Sequence, residues 1–356
     1  MSTLRTQHWL YSDTPPACTA ALKTHPEDFV VTEDLGYSFS GDGEHQFLWV
    51  EKKLANTAWA AEQLAKFTGL PLRNVTYAGR KDKYAVTRQW FGLHAPGKPD
   101  FDFSGLELEG VKILRQERHN KKLRIGQLKG NHFTITLRDV SDVTALTEAL
   151  QQAARNGVPN YFGEQRFGSV RVAETGERQE GGNLQLAEKM IAGEAIRNRN
   201  KRNMALSALR SWLFNEVISE RIRLGKLNDV ISGDALMLSG SHSFFIENGE
   251  DSGLQARYED KDLSPTAPLW GKGDVPVTGE AAKLELAVAG KYPDVTGYLS
   301  EAGMKQERRP VKIWPAQLEW QHNGDTVIVS FSLPSGCYAT TVLRDCVDTN
   351  GETAGS

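Results

Sequence analysis

One carboxylate among three cations is the feature of this sequence with the clearest chemical potential. The run Arg80-Lys81-Asp82-Lys83 directly follows a glycine. Neighbouring cations favour the ionised form of an aspartate, and an ionised aspartate can act as a nucleophile or as a base. The same run also fits a turn aspartate whose charge is balanced by its neighbours. Asp82 is therefore a candidate catalytic residue, and the run alone leaves both interpretations open.

Aromatic and amide side chains stand beside turns in three further segments. In GNHF, residues 130–133, Asn131 can donate and accept hydrogen bonds at a base edge, and Phe133 offers a ring for base stacking. PEDF, residues 26–29, and LPSGCYAT, residues 333–340, also place an aromatic beside turn residues. Packing in the core is the simpler interpretation of each of these aromatics.

Other classes of site lack their sequence motifs. The three cysteines and eight histidines are scattered, without the spacing of a zinc site. No glycine-rich phosphate loop of the P-loop or Rossmann type is found. We therefore expect no metal site, and we interpret the cysteines as reduced structural thiols.

The distribution of charge is more informative than its sum. A net charge of −3 argues weakly against a nucleic-acid partner. Cations nevertheless concentrate in residues 112–129 and 197–226, whereas acidic residues concentrate in 247–262. Solvated helix faces would explain either basic run alone, but the two together favour a polyanionic partner.

The apolar residues do not predict a membrane protein. No stretch approaches the roughly 20 apolar residues that would span a bilayer. The first residues, MSTLRTQHWLYSDTPP, lack the basic region and apolar run of a secretory signal. We therefore expect a cytoplasmic protein without a membrane partner, and we expect it to be a monomer.

The elements around Asp82 are predicted to hold it at the edge of a sheet. Alternation at Phe29 and Val31 indicates a half-buried strand, and residues 75–79 and 86–94 are predicted strands on either side of the charged loop. A helix is predicted from an Asn56 or Thr57 cap to Gly69. Its apolar face is predicted to contain Trp59, Ala60, Leu64 and Phe67.

The order of elements predicts an α+β fold with a mixed sheet. Up to residue 157 the order is strand, strand, helix, strand, strand, strand, helix, with the helices on one face. Residues 169 to about 230 read as helices and 233–280 as irregular, and the last part returns to strands and a short helix. An insertion explains this return, with residues 1–157 and 311–356 in one domain and 158–310 in the other.

Six segments, in order, resemble those of one family. AGRKDKYAVTRQW, residues 78–90, resembles the AGxKDKxAxTxQ signature of the D-type tRNA pseudouridine synthases, TruD. Five other segments resemble successive blocks of that family, and the resemblance extends over nearly the whole chain. These segments are PEDFVVTE, KGNHFTITLRD, NYFGEQRFG, SPTAPLWGKG and FSLPSGCYATTVLRD.

The resemblance implies that uridine in RNA is isomerised to pseudouridine without a cofactor, typically at uridine 13 of certain tRNAs. Asp82 then matches the catalytic aspartate, and Lys81 matches the basic residue before it. The carboxylate would attack C1′, add to the uracil ring or take a ribose proton. All three routes require it to be ionised.

The resemblance also implies a pocket for a flipped uracil, formed by Phe29, Asn131, Phe133 and Tyr338. Extruding a stacked base costs a few kcal/mol, which stacking and edge hydrogen bonds must offset. Tyr338 departs from the family pattern, in which Phe is frequent at this position. Lys23 is predicted to pair with Asp82 or to contact phosphate.

The implied fold is the mixed-sheet pseudouridine synthase core formed by both chain ends. It carries an inserted α/β TRUD domain, whose basic helices would hold tRNA phosphates; such contacts position rather than specify. Two rival functions remain: a non-catalytic RNA-binding protein or tRNA chaperone on the same scaffold, and a hydrolase of a non-RNA substrate that uses Asp82 and a distant histidine. The chaperone would not need Asp82 for its function, and the hydrolase would lack salt-dependent RNA affinity.

Overall fold

The computed structural model describes residues 4, 6, 8–171, 178–250 and 253–349. Its strands in chain order are β1 Ala21–Leu22, β2 Phe29–Asp34, β3 His45–Lys53, β4 Val75–Tyr77, β5 Val86–His94, β6 Val111–His119, β7 Gly130–Arg138, β8 Val158–Pro159, β9 Ser169–Arg171, β10 Arg178–Glu180, β11 Ala235–Leu238, β12 Phe244–Ile246, β13 Leu263–Leu269, β14 Glu307–Pro310, β15 Lys312–Ile313, β16 Ala316–Asn323 and β17 Thr326–Pro334. Its helices are α1 Thr57–Thr68, α2 Val143–Asn156, α3 Gly182–Ile191, α4 Arg199–Arg223, α5 Leu254–Glu259, α6 Gly279–Lys291, α7 Pro293–Glu301 and α8 Ala339–Arg344.

The chain forms two compact units, each assembled from separate segments. The sheet unit takes its described residues from Pro16–Ala154, Pro315–Ala339 and Cys346–Ser356. The helical unit takes its described residues from Met1–Pro15, Arg155–Trp314 and Thr340–Asp345. The assignment of residues 158–310 as an inserted domain stays a prediction.

The sheet unit contains a mixed sheet with strands from both ends of the chain. The strand order is β16-β17-β7-β2-β5-β3-β6, with β1 paired to β7 and β4 paired to β5. The β2–β5 pair is parallel, whereas the other pairs of this sheet, such as β17–β7, are antiparallel. The predicted α+β fold with a mixed sheet is confirmed.

The register of this sheet brings side chains from five strands into one row on one face. Val31 of β2 is paired with Phe133 of β7 and with Thr87 of β5. Phe133 is paired in turn with Phe331, and Thr87 with Lys52 of β3. Because side chains alternate between the faces of a strand, residues two positions away along each strand share this face.

Helix α1 covers part of that face, and its ends are where the sequence predicts them. The Asn56 side chain accepts a hydrogen bond from the backbone of Ala58, and Gly69 ends the helix in the left-handed region at φ 66°. The predicted apolar face is only partly correct. Ala60 and Leu64 are fully buried, whereas Trp59 and Phe67 are exposed, because the inward stripe continues instead through Ala61 and Ala65.

The helical unit is built around α4, twelve of whose residues are buried. A second sheet in this unit has the order β12-β11-β13-β14. The prediction that residues 233–280 are irregular is therefore wrong, since they contain β11, β12, α5 and β13.

Two prolines in β13 explain why the sequence did not predict this strand. Pro265 and Pro268 lack the N–H that a central strand normally donates. β13 pairs with β11 through residues 263–265 and with β14 through residues 266–269. Each half of the strand is therefore hydrogen-bonded on one side in this sheet, so the prolines are tolerated.

Within the described residues, no helix combines the length and the apolar character that a membrane crossing requires.

Candidate active site

Asp82 lies in the loop between β4 and β5, and its carboxylate contacts an ammonium group. Lys23 Nζ lies 2.7 Å from Asp82 Oδ2. The two side chains are partly exposed, at 20% for Lys23 and 29% for Asp82. Lys23 has a φ of 58°, in the left-handed region, where a non-glycine residue is strained by about 1 to 3 kcal/mol. Its backbone is thus held in an unfavourable conformation at the point where its side chain reaches Asp82.

Aromatic rings lie next to this ion pair. Lys23 Nζ is 4.1 Å from the centroid of the Phe29 ring, within the range of a cation–π contact. The centroids of Phe29 and Phe133 are 6.2 Å apart with the rings edge to face, and Phe133 contacts Phe331 at 5.7 Å. The structure therefore brings together Lys23, Asp82, Phe29 and Phe133, which the sequence predicted as site residues.

Asn131 lies on the same face of the sheet, one row from Phe133. It pairs with Glu33 of β2 and with Leu333 of β17. Its side-chain oxygen Oδ1 is buried and has no hydrogen-bond partner among the described residues. A buried amide oxygen without a partner costs about 1 to 3 kcal/mol, which a ligand donor at this point would recover.

Tyr338 lies in the short segment that joins β17 to α8 and is partly exposed. Four residues before it, Pro334 pairs with Gly130 at the start of β7. The backbone N–H of Ser335 donates to the carbonyl of Lys129 at 3.1 Å. The turn that leads to Tyr338 is therefore attached to the end of β7 that carries Asn131.

Lys81 interacts with a different carboxylate from Lys23. Lys81 Nζ lies 2.9 Å from Glu33 Oε1, and both side chains are buried. The other oxygen of Glu33 accepts a hydrogen bond from the backbone N–H of Trp90 at 2.9 Å. Lys81 therefore ties the loop to β2 and β5, and Glu33 balances its charge.

A chain of buried and partly buried hydrogen bonds fixes the backbone of the same loop. The Lys81 N–H donates to Thr57 Oγ1 at 3.1 Å, and Thr57 Oγ1 donates to Gln89 Oε1 at 2.9 Å. Gln89 Nε2 donates to the carbonyl of Gly79 at 3.0 Å. Gly79 and Lys81, which both precede Asp82 in the loop, are thus linked through the first residue of α1 and the middle of β5.

A buried lysine, Lys52, supports the loop from β3. Its Nζ donates to the carbonyl oxygens of Ala55 at 3.1 Å and of Asp82 at 3.3 Å. Burial lowers the pKa of Lys52 to about 8; the nearby Asp82 opposes this change and Lys81 adds to it. Lys52 therefore adds a cation next to Asp82 that loses its proton around pH 8.

Four residues of this arrangement were not predicted from the sequence: Glu33, Lys52, Thr57 as a partner of the loop, and Gln89. The sequence pattern indicates that the first two face inward. Glu33 continues the alternation of Phe29 and Val31, and Lys52 continues that of Leu48 and Val50. Thr57 and Gln89 contact the loop across 24 and 10 residues of sequence, and no local pattern marks such contacts.

The arrangement combines a carboxylate, a set of rings and an amide on one face of a rigid sheet. The carboxylate can act as nucleophile or base, the rings can stack on a planar group, and the amide can bind a polar edge. Within the described residues, no cluster of three or more His, Cys, Asp or Glu side chains could hold a metal ion.

Comparisons with known proteins agree over nearly the whole chain. The family model described as tRNA pseudouridine synthase D (TruD) matches residues 6–176 and 185–346. A tRNA pseudouridine synthase D from Pseudoalteromonas atlantica is 48% identical over 345 residues, which cover 97% of each chain. Those from Aeromonas hydrophila and Proteus mirabilis are 46% and 42% identical, and the matches cover 93% and 98% of this chain and 91% and 97% of those proteins.

The fold is similar to that of a solved structure. A crystal structure from Methanosarcina mazei, described as a tRNA pseudouridine synthase D, superimposes with a TM-score of 0.71 over 96% of both chains. At 22% sequence identity this likeness concerns the fold alone. The family model and the sequence relatives carry the assignment, and this chain belongs to the tRNA pseudouridine synthase D (TruD) family.

Proposed function

We propose that this protein is an isomerase that converts uridine to pseudouridine in tRNA, at uridine 13. The N1–C1′ bond breaks, the uracil turns in the pocket and C5 bonds to C1′. C5 loses its proton and N1 gains one, so the reaction is redox-neutral and balanced without a co-reactant. The names of the relatives support a tRNA substrate.

One observation carries this proposal: the ion pair of Asp82 and Lys23 lies against the rings of Phe29 and Phe133. A flipped base requires a surface to stack on, and the ribose carbon must come close to the reactive group. The Asp82 carboxylate supplies the nucleophile or base, and the ammonium of Lys23 stabilises its ionised form. Three routes are open to the carboxylate: attack on C1′, addition to the uracil ring, or removal of a ribose proton. Each of them uses its ionised form.

The residues around Asp82 have supporting roles in this proposal. Phe29, Phe133 and Tyr338 stack on or enclose the uracil, and Asn131 Oδ1 accepts a hydrogen bond from its N–H edge. Lys81 holds the loop through Glu33, whose oxygen lies 2.9 Å from Lys81 Nζ. Lys23 orients Asp82 directly. Residues 158–310 act as an inserted RNA-binding domain. The cytoplasmic location and the monomeric state of the protein stay predictions.

The test uses purified protein and an unmodified tRNA transcript, with pseudouridines mapped by chemical labelling. Asp82→Asn preserves the shape of the side chain and removes its charge, so we expect pseudouridine formation to fall at least about 1,000-fold with RNA binding within about twofold. The control is Asp42→Asn, at an exposed aspartate in the loop before β3. Full activity of Asp82→Asn would refute the role of Asp82.

The position is tested with a transcript that carries cytidine at nucleotide 13. We expect no pseudouridine in that transcript and one in its parent. A wild-type protein that binds tRNA but forms no pseudouridine in any transcript would instead support the non-catalytic RNA-binding alternative.

A further inference from the structure

The loop between β6 and β7 presents an apolar side chain to solvent. Ile125 is 85% exposed, whereas the next most exposed large hydrophobic residue in the described part of the chain, Met204, is 54% exposed. Isolated exposed apolar residues are common on protein surfaces. The surroundings of Ile125, rather than its exposure alone, point to a function.

The loop is held rigidly, so the orientation of Ile125 follows from its structure. On one side of the tip Leu123 is fully buried, and on the other Leu128 packs against the cluster that contains Ala78 and Trp90. The N–H of Gln127 donates to the carbonyl of Arg124 at 3.0 Å, and Gln127 Oε1 accepts from the Arg124 N–H at 3.1 Å.

Gly126, next to Ile125, has a φ of 82°. This left-handed conformation closes the turn and favours glycine. The two neighbouring leucines point inward while Ile125 points outward, which is the form of a supported tip rather than of a loose segment.

This tip is attached to both parts of the candidate active site. The Gly126 N–H donates to the carbonyl of Ala78 at 2.7 Å, and Ala78 lies four residues before Asp82 at the start of the same loop. The Lys129 N–H donates to the carbonyl of Asp34 at 2.9 Å, and Asn131 follows two residues later. Backbone hydrogen bonds therefore couple the tip to the Asp82 loop and to the strand that carries Asn131.

The charges around the tip fit a polyanion. Residues 121–129 contain four cations and no acidic residue. All four cations are exposed: Lys121, Lys122, Arg124 and Lys129. For a protein partner, this surface would offer an apolar patch of only one side chain. For an RNA partner, the four cations would contact phosphates while the apolar side chain faces the bases.

We propose that Ile125 is a wedge that enters the base stack of the substrate RNA next to the target uridine. Apolar side chains inserted between bases unstack them, and a base must leave the stack to reach the pocket. Ile125 occupies the space that the uracil leaves and slows its return, while the cations hold the backbone on either side. This inference rests on the proposed isomerisation of uridine in tRNA.

The first experiment measures unstacking without catalysis. A tRNA carrying 2-aminopurine beside the target uridine is bound by the Asp82→Asn protein, and the wedge is expected to raise its fluorescence about threefold by separating the bases. Ile125→Ala in this background should abolish most of the rise in fluorescence. Any loss of RNA affinity in this variant should be the same at low and at high salt, because no charge is removed. Ile125→Leu should restore the rise. Leu72→Ala, at a 50% exposed leucine in the turn before β4, is the control and should leave the rise unchanged.

The second experiment compares two substrates under single-turnover conditions. Ile125→Ala is expected to react about tenfold more slowly on folded tRNA, and within about twofold of wild type on a short single-stranded RNA with the same uridine, where the base is already unstacked. Equal rates and equal fluorescence for Ile125→Ala and Leu72→Ala would contradict the proposal that Ile125 is a wedge. Loss of conversion in the wild type, with the fluorescence rise retained, would instead refute the proposed function and leave the wedge standing.

Discussion

Two pairings of aspartate with a cation, one in each unit, differ in how far they enclose the carboxylate. In the helical unit, Arg221 contacts both oxygens of Asp234, at 2.7 and 2.8 Å, and the Ile231 N–H adds a third hydrogen bond at 2.9 Å. Both side chains are buried. In the sheet unit, Lys23 contacts Oδ2 of Asp82, whose side chain stays 29% exposed. The first pairing is suited to stability, and the second leaves the carboxylate accessible to a substrate.

A second structural pair in the helical unit follows the first. Arg308 contacts both oxygens of Glu285, at 2.6 and 2.8 Å, with both side chains buried. Burial is the largest influence on this carboxyl and raises the pKa of Glu285 despite the arginine. In both arginine pairs a fork of two hydrogen bonds holds a buried carboxylate, whereas the single lysine contact leaves the carboxylate of Asp82 partly exposed.

The largest expected effect comes from removing the charge of each aspartate in turn. Asp234→Asn leaves a buried arginine uncompensated, and we expect the free energy of unfolding to fall by roughly 3 to 5 kcal/mol. Asp82→Asn leaves a partly exposed lysine, and we expect a change within about 1 kcal/mol. Urea denaturation followed by circular dichroism measures both. Similar losses in the two variants would remove the distinction between the pairs.

Glu33 combines features of both regions, since its buried pair with Lys81 supports the Asp82 loop. Glu33→Gln is expected to lower the free energy of unfolding by about 3 kcal/mol and to slow pseudouridine formation about tenfold. Glu285→Gln serves as the matched control, with a comparable loss of stability and an unchanged rate per folded molecule. A normal rate for Glu33→Gln would show that the loop keeps its geometry without this pair.

Lys312 extends the comparison to a buried cation that bonds to neutral groups. Its Nζ donates to Asn228 Oδ1 at 2.7 Å and to the Tyr258 hydroxyl at 3.3 Å, and burial lowers its pKa to about 8. Between pH 8 and its ordinary value of 10.5 the folded state has lost a proton that the unfolded state still binds. The contribution of Lys312 to stability therefore rises with pH across this window.

Lys312→Met removes this dependence. Each pH unit by which burial lowers the pKa costs the folded protein about 1.36 kcal/mol while the lysine is charged. We therefore expect the variant to gain at most about 3 kcal/mol relative to wild type below pH 8, and this gain to vanish towards pH 10.5. Denaturation at several pH values measures the difference between the two proteins. The exposed Lys283→Met is the control and should show a constant difference. A gain for Lys312→Met that does not change with pH would contradict the lowered pKa.

The smallest expected effect concerns the hydrogen bonds behind the Asp82 loop. Thr57→Val keeps the shape of the side chain but leaves the Lys81 N–H and Gln89 Oε1 without their partner. We expect a loss of about 1 kcal/mol and a rate lower by about threefold. Thr68→Val in the same helix removes a hydroxyl that bonds to the carbonyls of Leu64 and Ala65 in its own helix, and it should leave the rate unchanged. Equal rates for the two variants would mean that this chain does not position the loop.

Local patterns in the sequence were sufficient for several elements. The Asn56 cap and the Gly69 end of α1 follow from side-chain and backbone preferences over a few residues. The alternation of β2 predicted that Phe29 and Val31 lie on the buried face, because period two is a local property of a strand. The same patterns failed where local preference was overridden, as in β13 with its two prolines.

By itself, the sequence determined the family, through six ordered segments, and it predicted Asp82 as a candidate catalytic residue, through its charged neighbours. Only the tertiary structure decided which cation serves which carboxylate: Lys23, 59 residues away in sequence, contacts Asp82, whereas the adjacent Lys81 contacts Glu33. It also decided that β17 lies beside β7, which brings Phe331 against Phe133. Such pairings depend on strand register and loop closure over long separations, and these are properties of the folded chain rather than of any short segment.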